Sequence, residues 1–161
     1  MKSIAAMTTL SLLLIVLLAS SGMAAPKRAV TPSAKEKCPV CGMFVARYPD
    51  WTAVAKTKDG MIIYFDGAKD MFTHYFNPGR YTPGKKQGDI SGLSVTDYYS
   101  LKMIDAKSAF FVVGSDVYGP MGSELIAFVT EEDAAGFMHD HKGKRLLRFP
   151  EITPAILKAM Q

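Results

Sequence analysis

The chain has 161 residues, with 19 Lys and Arg against 15 Asp and Glu, and its formal net charge is +4 at pH 7. This mild positive charge is scattered without a stripe of interleaved aromatic residues, so nucleic-acid binding gains little support. The chain has two cysteines, which excludes the disulfide-dense scaffolds of small secreted domains.

Residues 1–25 have the composition of a secretory signal peptide. Lys2 precedes an uncharged run whose apolar centre leads into small residues at 20–25. The small-residue ending favours cleavage, whereas the length of the run also fits an uncleaved membrane anchor, so the mode of membrane association stays open. We therefore expect an exported, periplasmic protein. Residues 26–37 are rich in Pro, Ala and Lys and are predicted to be a flexible tether before a folded domain at 38–161.

The first half of the domain is predicted to be a hairpin, a helix and further strands. Apolar residues alternate on both sides of Asp59-Gly60, which is a hairpin signal. Asp66 is predicted to cap a helix that ends at the Asn-Pro-Gly of residues 77–79. After a loop rich in Gly, Pro and Lys, residues 93–99 and 102–104 have the composition of strands.

The second half repeats this order. Strands are predicted at residues 109–113 and 125–129, a helix begins at Thr130, and a last strand at 145–149 precedes a short helix after Pro154. The order strand, strand, helix, strand thus appears twice. The predicted fold class is α+β, with repeated strand-strand-helix-strand units and antiparallel sheets covered by two helices.

Residues 38–43 read Cys-Pro-Val-Cys-Gly-Met and carry the main chemical signal. Monovalent copper prefers thiolate and thioether sulfur to oxygen. Cys41 and Met43 supply one sulfur of each kind, and Gly42 between them has no side chain to obstruct a turn. This spacing favours a Cu(I) site.

Two other interpretations of the same residues stay open. Cys38 and Cys41 form a C-x-x-C, which is typical of thiol-disulfide oxidoreductases, although such motifs sit where a strand turns into a helix and this one leads towards a strand. A disulfide between the two cysteines could instead pin the start of the domain, with Met43 filling a gap in the core. A zinc site is disfavoured because a second cysteine pair is absent.

Residues outside this segment could add a third ligand. Met121 lies in a Gly-Pro-Met-Gly turn that would display its thioether, and packing under the turn is an equally good interpretation. His141 falls near the end of the second predicted helix, where a histidine with a structural role is the commoner case.

Several motifs in one order resemble those of the NosL-type nitrous oxide reductase accessory proteins. The resemblance covers roughly residues 38–149 and rests on four segments: Cys-Gly-Met at 41–43, Thr-Asp-Tyr-Tyr at 96–99 followed by Met-Ile-Asp-Ala at 103–106, Gly-Pro-Met-Gly-Ser at 119–123, and Ala-Phe at 127–128. Their combination is more specific than any one of them.

The resemblance implies a periplasmic Cu(I)-binding metallochaperone, and not an enzyme, that helps deliver copper for the copper centre of nitrous oxide reductase. It assigns copper-ligand roles to Cys41 and Met43 and draws attention to Met121 and His141. It leaves Cys38 open as ligand, guard thiol or disulfide partner. The implied partner is a copper-receiving periplasmic or membrane maturation protein, either nitrous oxide reductase or its assembly complex.

Overall fold

Two antiparallel sheets and two main helices make up residues 31–160, the part of the chain that the computed structural model describes. The predicted signal peptide and the first residues of the predicted tether lie outside this range. The nine strands are β1 Ala53–Thr57, β2 Ile62–Phe65, β3 Ile90–Thr96, β4 Met103–Asp105, β5 Phe110–Val113, β6 Tyr118–Gly119, β7 Gly122–Ser123, β8 Ile126–Phe128 and β9 Arg145–Arg148. The four helices are α1 Ala68–Phe76, α2 Pro78–Tyr81, α3 Glu131–Asp140 and α4 Pro154–Lys158. None of these helices is long and apolar enough to cross a membrane.

The predicted repeat is present in the sheet topology. The first sheet has the order β2-β1-β3-β4 and the second has the order β8-β5-β9, with antiparallel pairing throughout. In each sheet the first strand of the unit lies between the second and the third, and the helix falls between the second and third strands in sequence. The α+β fold class with repeated units is therefore confirmed. The short hairpin β6–β7 is inserted into the second unit.

Helix α1 packs between the two sheets. Its Met71 and Phe72 are fully buried, and the Phe72 ring meets Phe111 of β5 edge-on with 5.4 Å between centroids. The main apolar cluster contains residues of both sheets, so the two units share one core through this helix. A smaller cluster lies between the second sheet and α3, centred on Phe128 and Phe137.

The two main helices begin in different ways. Thr130 caps α3 as predicted, since its hydroxyl oxygen accepts the backbone N–H of Asp133 at 3.1 Å. The prediction that Asp66 caps α1 is wrong: the capping position is Gly67, and no side chain of the adjoining sequence caps the helix. The reason is that the carboxylate of Glu124, a residue distant in sequence, already occupies this end and accepts the Lys69 backbone N–H at 2.5 Å. The Asp66 side chain therefore does not cap the helix and points towards Cys41 instead.

Truncating the shared core at Phe72 tests this account. We expect Phe72→Ala to lower the free energy of unfolding by about 3–5 kcal/mol, because it leaves a cavity where α1 meets the second sheet. Urea denaturation measures the change. Tyr118→Ala is the control, since this aromatic side chain is 67% exposed, and its loss should change stability by no more than about 0.5 kcal/mol. A loss at Phe72 no larger than the control would contradict the packing.

Candidate metal centre

The Cys-Pro-Val-Cys-Gly-Met segment folds into a tight turn. The Cys38 N–H donates to the Met43 carbonyl at 2.9 Å, and the Gly42 N–H donates to the Cys38 carbonyl at 2.8 Å. Gly42 has φ +81°, a left-handed conformation that a residue with a side chain rarely adopts. The predicted need for glycine at this position is confirmed. The turn directs both cysteine side chains to the same side.

Helix α1 brings two carboxylates to the two thiols. Asp66 lies two residues before the helix and Asp70 in its first turn, and both side chains reach the thiols. The Cys38 thiol donates to Asp70 Oδ2 at 3.2 Å, and the Cys41 thiol donates to Asp66 Oδ1 at 3.2 Å. The four potential ligand atoms all lie within 4.8 Å of one another. We call this set the Cys-Asp group.

Three members of the Cys-Asp group are buried, and the fourth, Cys41, is partly exposed. Cys38 and Asp66 are each 1% exposed and Asp70 is 7% exposed, whereas Cys41 is half-buried. The Oδ2 atom of Asp66 is buried and has no hydrogen-bond partner among residues 31–160. A buried acceptor without a donor is costly, and a bound cation would relieve that cost. Cys41 is the member of the group that is most exposed to solvent.

The surroundings of the two thiols favour their protonated form. Burial, together with the charges and hydrogen bonding of Asp66 and Asp70, raises the pKa of Cys41 to about 12. The pKa of Cys38 is raised further, chiefly by its deeper burial. Burial also raises the pKa of Asp70, although hydrogen bonds from the thiols oppose the shift. This is the reverse of a thiol-disulfide exchange site, in which a helix N-terminus or a cation stabilises the thiolate.

The other predicted ligands are not members of the Cys-Asp group. Met43 is half-buried at the end of the same turn. Met121 is 46% exposed in the loop between β6 and β7, and its carbonyl accepts a hydrogen bond from Lys69 Nζ at 3.0 Å. Because Lys69 directly precedes Asp70, the Met121 turn is attached to the helix turn that supports the Cys-Asp group.

His141 lies in the smaller apolar cluster and not with the thiols. It ends α3, where its ring stacks on Phe137 at 4.4 Å and its Nδ1 lies 3.2 Å from Asp116 Oδ1. These contacts are those of a histidine with a structural role at a helix end. The structure thus brings Cys38 and Cys41 together with Met43 in one turn and attaches the turn of Met121 nearby. The ligand roles of all five residues stay predictions.

Sequence reasoning missed the two carboxylates. Asp66 was interpreted as a helix cap, and Asp70 was one acidic residue in the predicted helix. The available signal was their spacing of four residues beside a strand that ends in Phe65, combined with a cysteine pair elsewhere. Spacing alone does not show which surface faces the cysteines. Lys69 and Glu124, which are also buried, had no sequence signal.

Thiol reactivity tests the electrostatics of the Cys-Asp group. In the reduced, metal-free protein, Cys41 should react with iodoacetamide more than about tenfold more slowly than a free cysteine at about pH 8, because little thiolate is present. Asp66→Asn should speed the reaction, since it removes a negative charge that raises the thiol pKa. Tandem mass spectrometry assigns the label, and Asp116→Asn, next to His141, is the control. A Cys41 as reactive as free cysteine would contradict the assignment.

The pH dependence of stability tests the burial of Glu124. Burial raises the pKa of this carboxyl from 4.5 to about 7, although hydrogen bonds from two backbone N–H groups oppose the shift. Between these values the unfolded chain has released a proton that the folded protein keeps, so stability falls as pH rises and levels off above about pH 7. Relative to Glu124→Gln, the native protein should lose roughly 3 kcal/mol across this window. Urea denaturation at several pH values measures the difference, and parallel curves would exclude it.

Comparison with known proteins identifies the family. The NosL family model matches residues 29–157. The copper-binding lipoprotein NosL of Stutzerimonas stutzeri is 34% identical over 125 residues, which is 76% of this chain and 65% of that protein, so the chain spans just under two thirds of its length. The crystal structure of the copper chaperone NosL from Shewanella denitrificans matches with a TM-score of 0.68 and 29% identity over 81% of this chain and 99% of that one. The resemblance seen in the sequence is confirmed, and this chain belongs to the NosL family.

Proposed function

We propose that this chain is a copper chaperone that holds one Cu(I) ion at the Cys-Asp group and passes it to another exported protein. The observation that carries the proposal is the convergence of the Cys38 and Cys41 thiols in the largely buried Cys-Asp group, of which Cys41 is the most exposed member. Two named relatives support it, one a copper-binding lipoprotein and the other a copper chaperone.

The donor set fits the softness of monovalent copper. Cys41 and Met43 supply thiolate and thioether sulfur from one turn and so fill two positions, and the Cys38 thiol lies beside Cys41 on the buried side. We assign the third position to Met121, whose turn is attached to α1. Asp66 and Asp70 are hard ligands that Cu(I) does not prefer, so their role is to hold the protonated thiols through hydrogen bonds in the metal-free protein. His141 is the weakest candidate, because its ring is occupied by Phe137 and Asp116.

Transfer requires no catalysis. A Cu(I) ion bound by two or three sulfur atoms leaves room for an incoming ligand, and a half-buried Cys41 is the position at which a recipient's sulfur would enter. We place the protein in the periplasm because its N-terminal composition is that of a secretory leader and one relative is named a lipoprotein. The recipient that fits the family is nitrous oxide reductase or its assembly complex.

The alternative of a thiol-disulfide oxidoreductase is not favoured. Cys38 and Cys41 form the spacing that such an enzyme uses, but Cys38 is 1% exposed and both thiols have raised pKa values. A nucleophilic thiol needs the opposite setting, with an accessible sulfur and a stabilised thiolate.

An anaerobic Cu(I) titration against a competing chelator tests the proposal. The reduced domain should bind one equivalent tightly. Cys41→Ser should weaken binding by about a hundredfold or more, because it removes a thiolate, and Met43→Leu by about tenfold, because it removes a thioether of similar size. Cys38→Ser shows whether the buried thiol is a ligand.

Met61→Leu is the matched control for Met43→Leu, since Met61 is 43% exposed next to the Asp-Gly turn and outside the Cys-Asp group. Its copper affinity should equal that of the native protein. Copper binding no tighter than that of a simple dithiol, with no change on Met43→Leu, would reject the site.

A further inference from the structure

Glu124 is an acidic side chain in an unusual position. It is 4% exposed, and its Oε1 accepts backbone N–H groups from Lys69 at 2.5 Å and Leu125 at 2.9 Å. A Cβ atom on Gly67 would lie 2.1 Å from Glu124 Oε2, so only glycine allows the carboxylate to come this close to the start of α1. Glu124 therefore caps, from outside, a helix whose adjoining sequence supplies no side-chain cap.

A second contact joins the same two segments in the reverse direction. Lys69 is 8% exposed, and its ammonium donates to the Met121 carbonyl at 3.0 Å. The helix thus binds the loop through the Lys69 side chain, and the segment after the loop binds the helix through the Glu124 side chain. One contact at the loop of the β6–β7 hairpin and one directly after β7 restrict the movement of the hairpin relative to α1.

The helix turn that receives both contacts also carries the Cys-Asp group. Asp70 directly follows Lys69, and its carboxylate accepts a hydrogen bond from the Cys38 thiol. Asp66 directly precedes Gly67, and its carboxylate accepts a hydrogen bond from the Cys41 thiol. The first turn of α1 is therefore the common support of the thiols and of the Met121 turn. Burying a carboxylate and an ammonium is unfavourable unless both are paired. The free-energy cost of burying these two side chains indicates that the position of the β6–β7 hairpin relative to α1 is important.

We propose that Glu124, with Lys69, is a positioning residue that holds the Met121 thioether beside the Cys-Asp group. This inference rests on the proposed function and deepens it. Neither residue touches copper. Glu124 fixes the end of the hairpin against α1 and Lys69 fixes the loop itself, so that the third sulfur is in place before the ion arrives and little ordering accompanies binding.

Copper affinity and sulfur count in four variants test the proposal. Glu124→Ala removes the cap and should lower Cu(I) affinity by about tenfold or more, as should Lys69→Leu, which removes the ammonium without adding a sulfur atom. X-ray absorption should show one sulfur fewer around copper in both. Glu124→Gln keeps an acceptor for the Lys69 N–H and should restore most of the affinity. Glu151→Gln is the matched control, because Glu151 also accepts a backbone N–H, that of Arg148 at 2.7 Å, on an exposed turn outside α1.

A double-mutant cycle separates positioning from general stability. If Glu124 acts through Met121, then Glu124→Ala should cause no further loss of affinity in a Met121→Leu background. In the metal-free protein, methyl NMR should show that Glu124→Ala increases the mobility of the Met121 side chain while circular dichroism shows a folded domain. This measurement keeps the test decisive even if the variants are less stable.

The outcomes are distinguishable. A native domain that fails to bind Cu(I) rejects the proposed function and this inference with it. A native domain that binds Cu(I) tightly, with Glu124→Ala unchanged in affinity and sulfur count, overturns the inference alone. Losses from Glu124→Ala and Met121→Leu that simply add would also overturn it, since they would show that Glu124 acts without Met121.

Discussion

The start of helix α1 is the constraint on which the rest of the site depends. The first N–H groups of any helix need acceptors, and the adjoining sequence offers glycine at the capping position. Glu124 supplies the acceptor from the second unit, across a contact so close that Gly67 cannot carry a side chain. One capping interaction therefore joins the two repeated units at the point where the thiols and carboxylates meet.

Because Glu124 caps α1, Asp66 does not have the capping role that its position in the sequence suggests. An aspartate just before a helix ordinarily caps it, but here the side chain turns towards Cys41 and Asp70 turns towards Cys38. Each thiol thus has one carboxylate acceptor in a largely buried setting. Thiols in this setting stay protonated, so they are poorly prepared to act as nucleophiles.

The two repeated units differ in what their helices do. Both sheets have the same strand order, yet the thiols, the carboxylates and the turn of Met121 gather on α1 of the first unit. Helix α3 of the second unit has a cap of its own in Thr130, and its Phe137 packs against Phe128 of β8 in an ordinary apolar contact. The helix with its own cap serves packing, and the helix capped from outside carries the site.

Local signals in the sequence determined the elements: the Asp59-Gly60 turn, the Thr130 cap, the repeated order of strands and helices, and a Cys-Gly-Met turn that needs glycine at Gly42. Hydrogen-bonding and steric rules over a few residues are sufficient for each of these. Only the tertiary structure decided which surfaces meet. It brought Asp66 and Asp70 to the thiols, replaced a local cap with Glu124 from 55 residues along the chain, and placed His141 beside Asp116. Such pairings depend on how separate elements pack, and no periodicity within a segment records its distant partner.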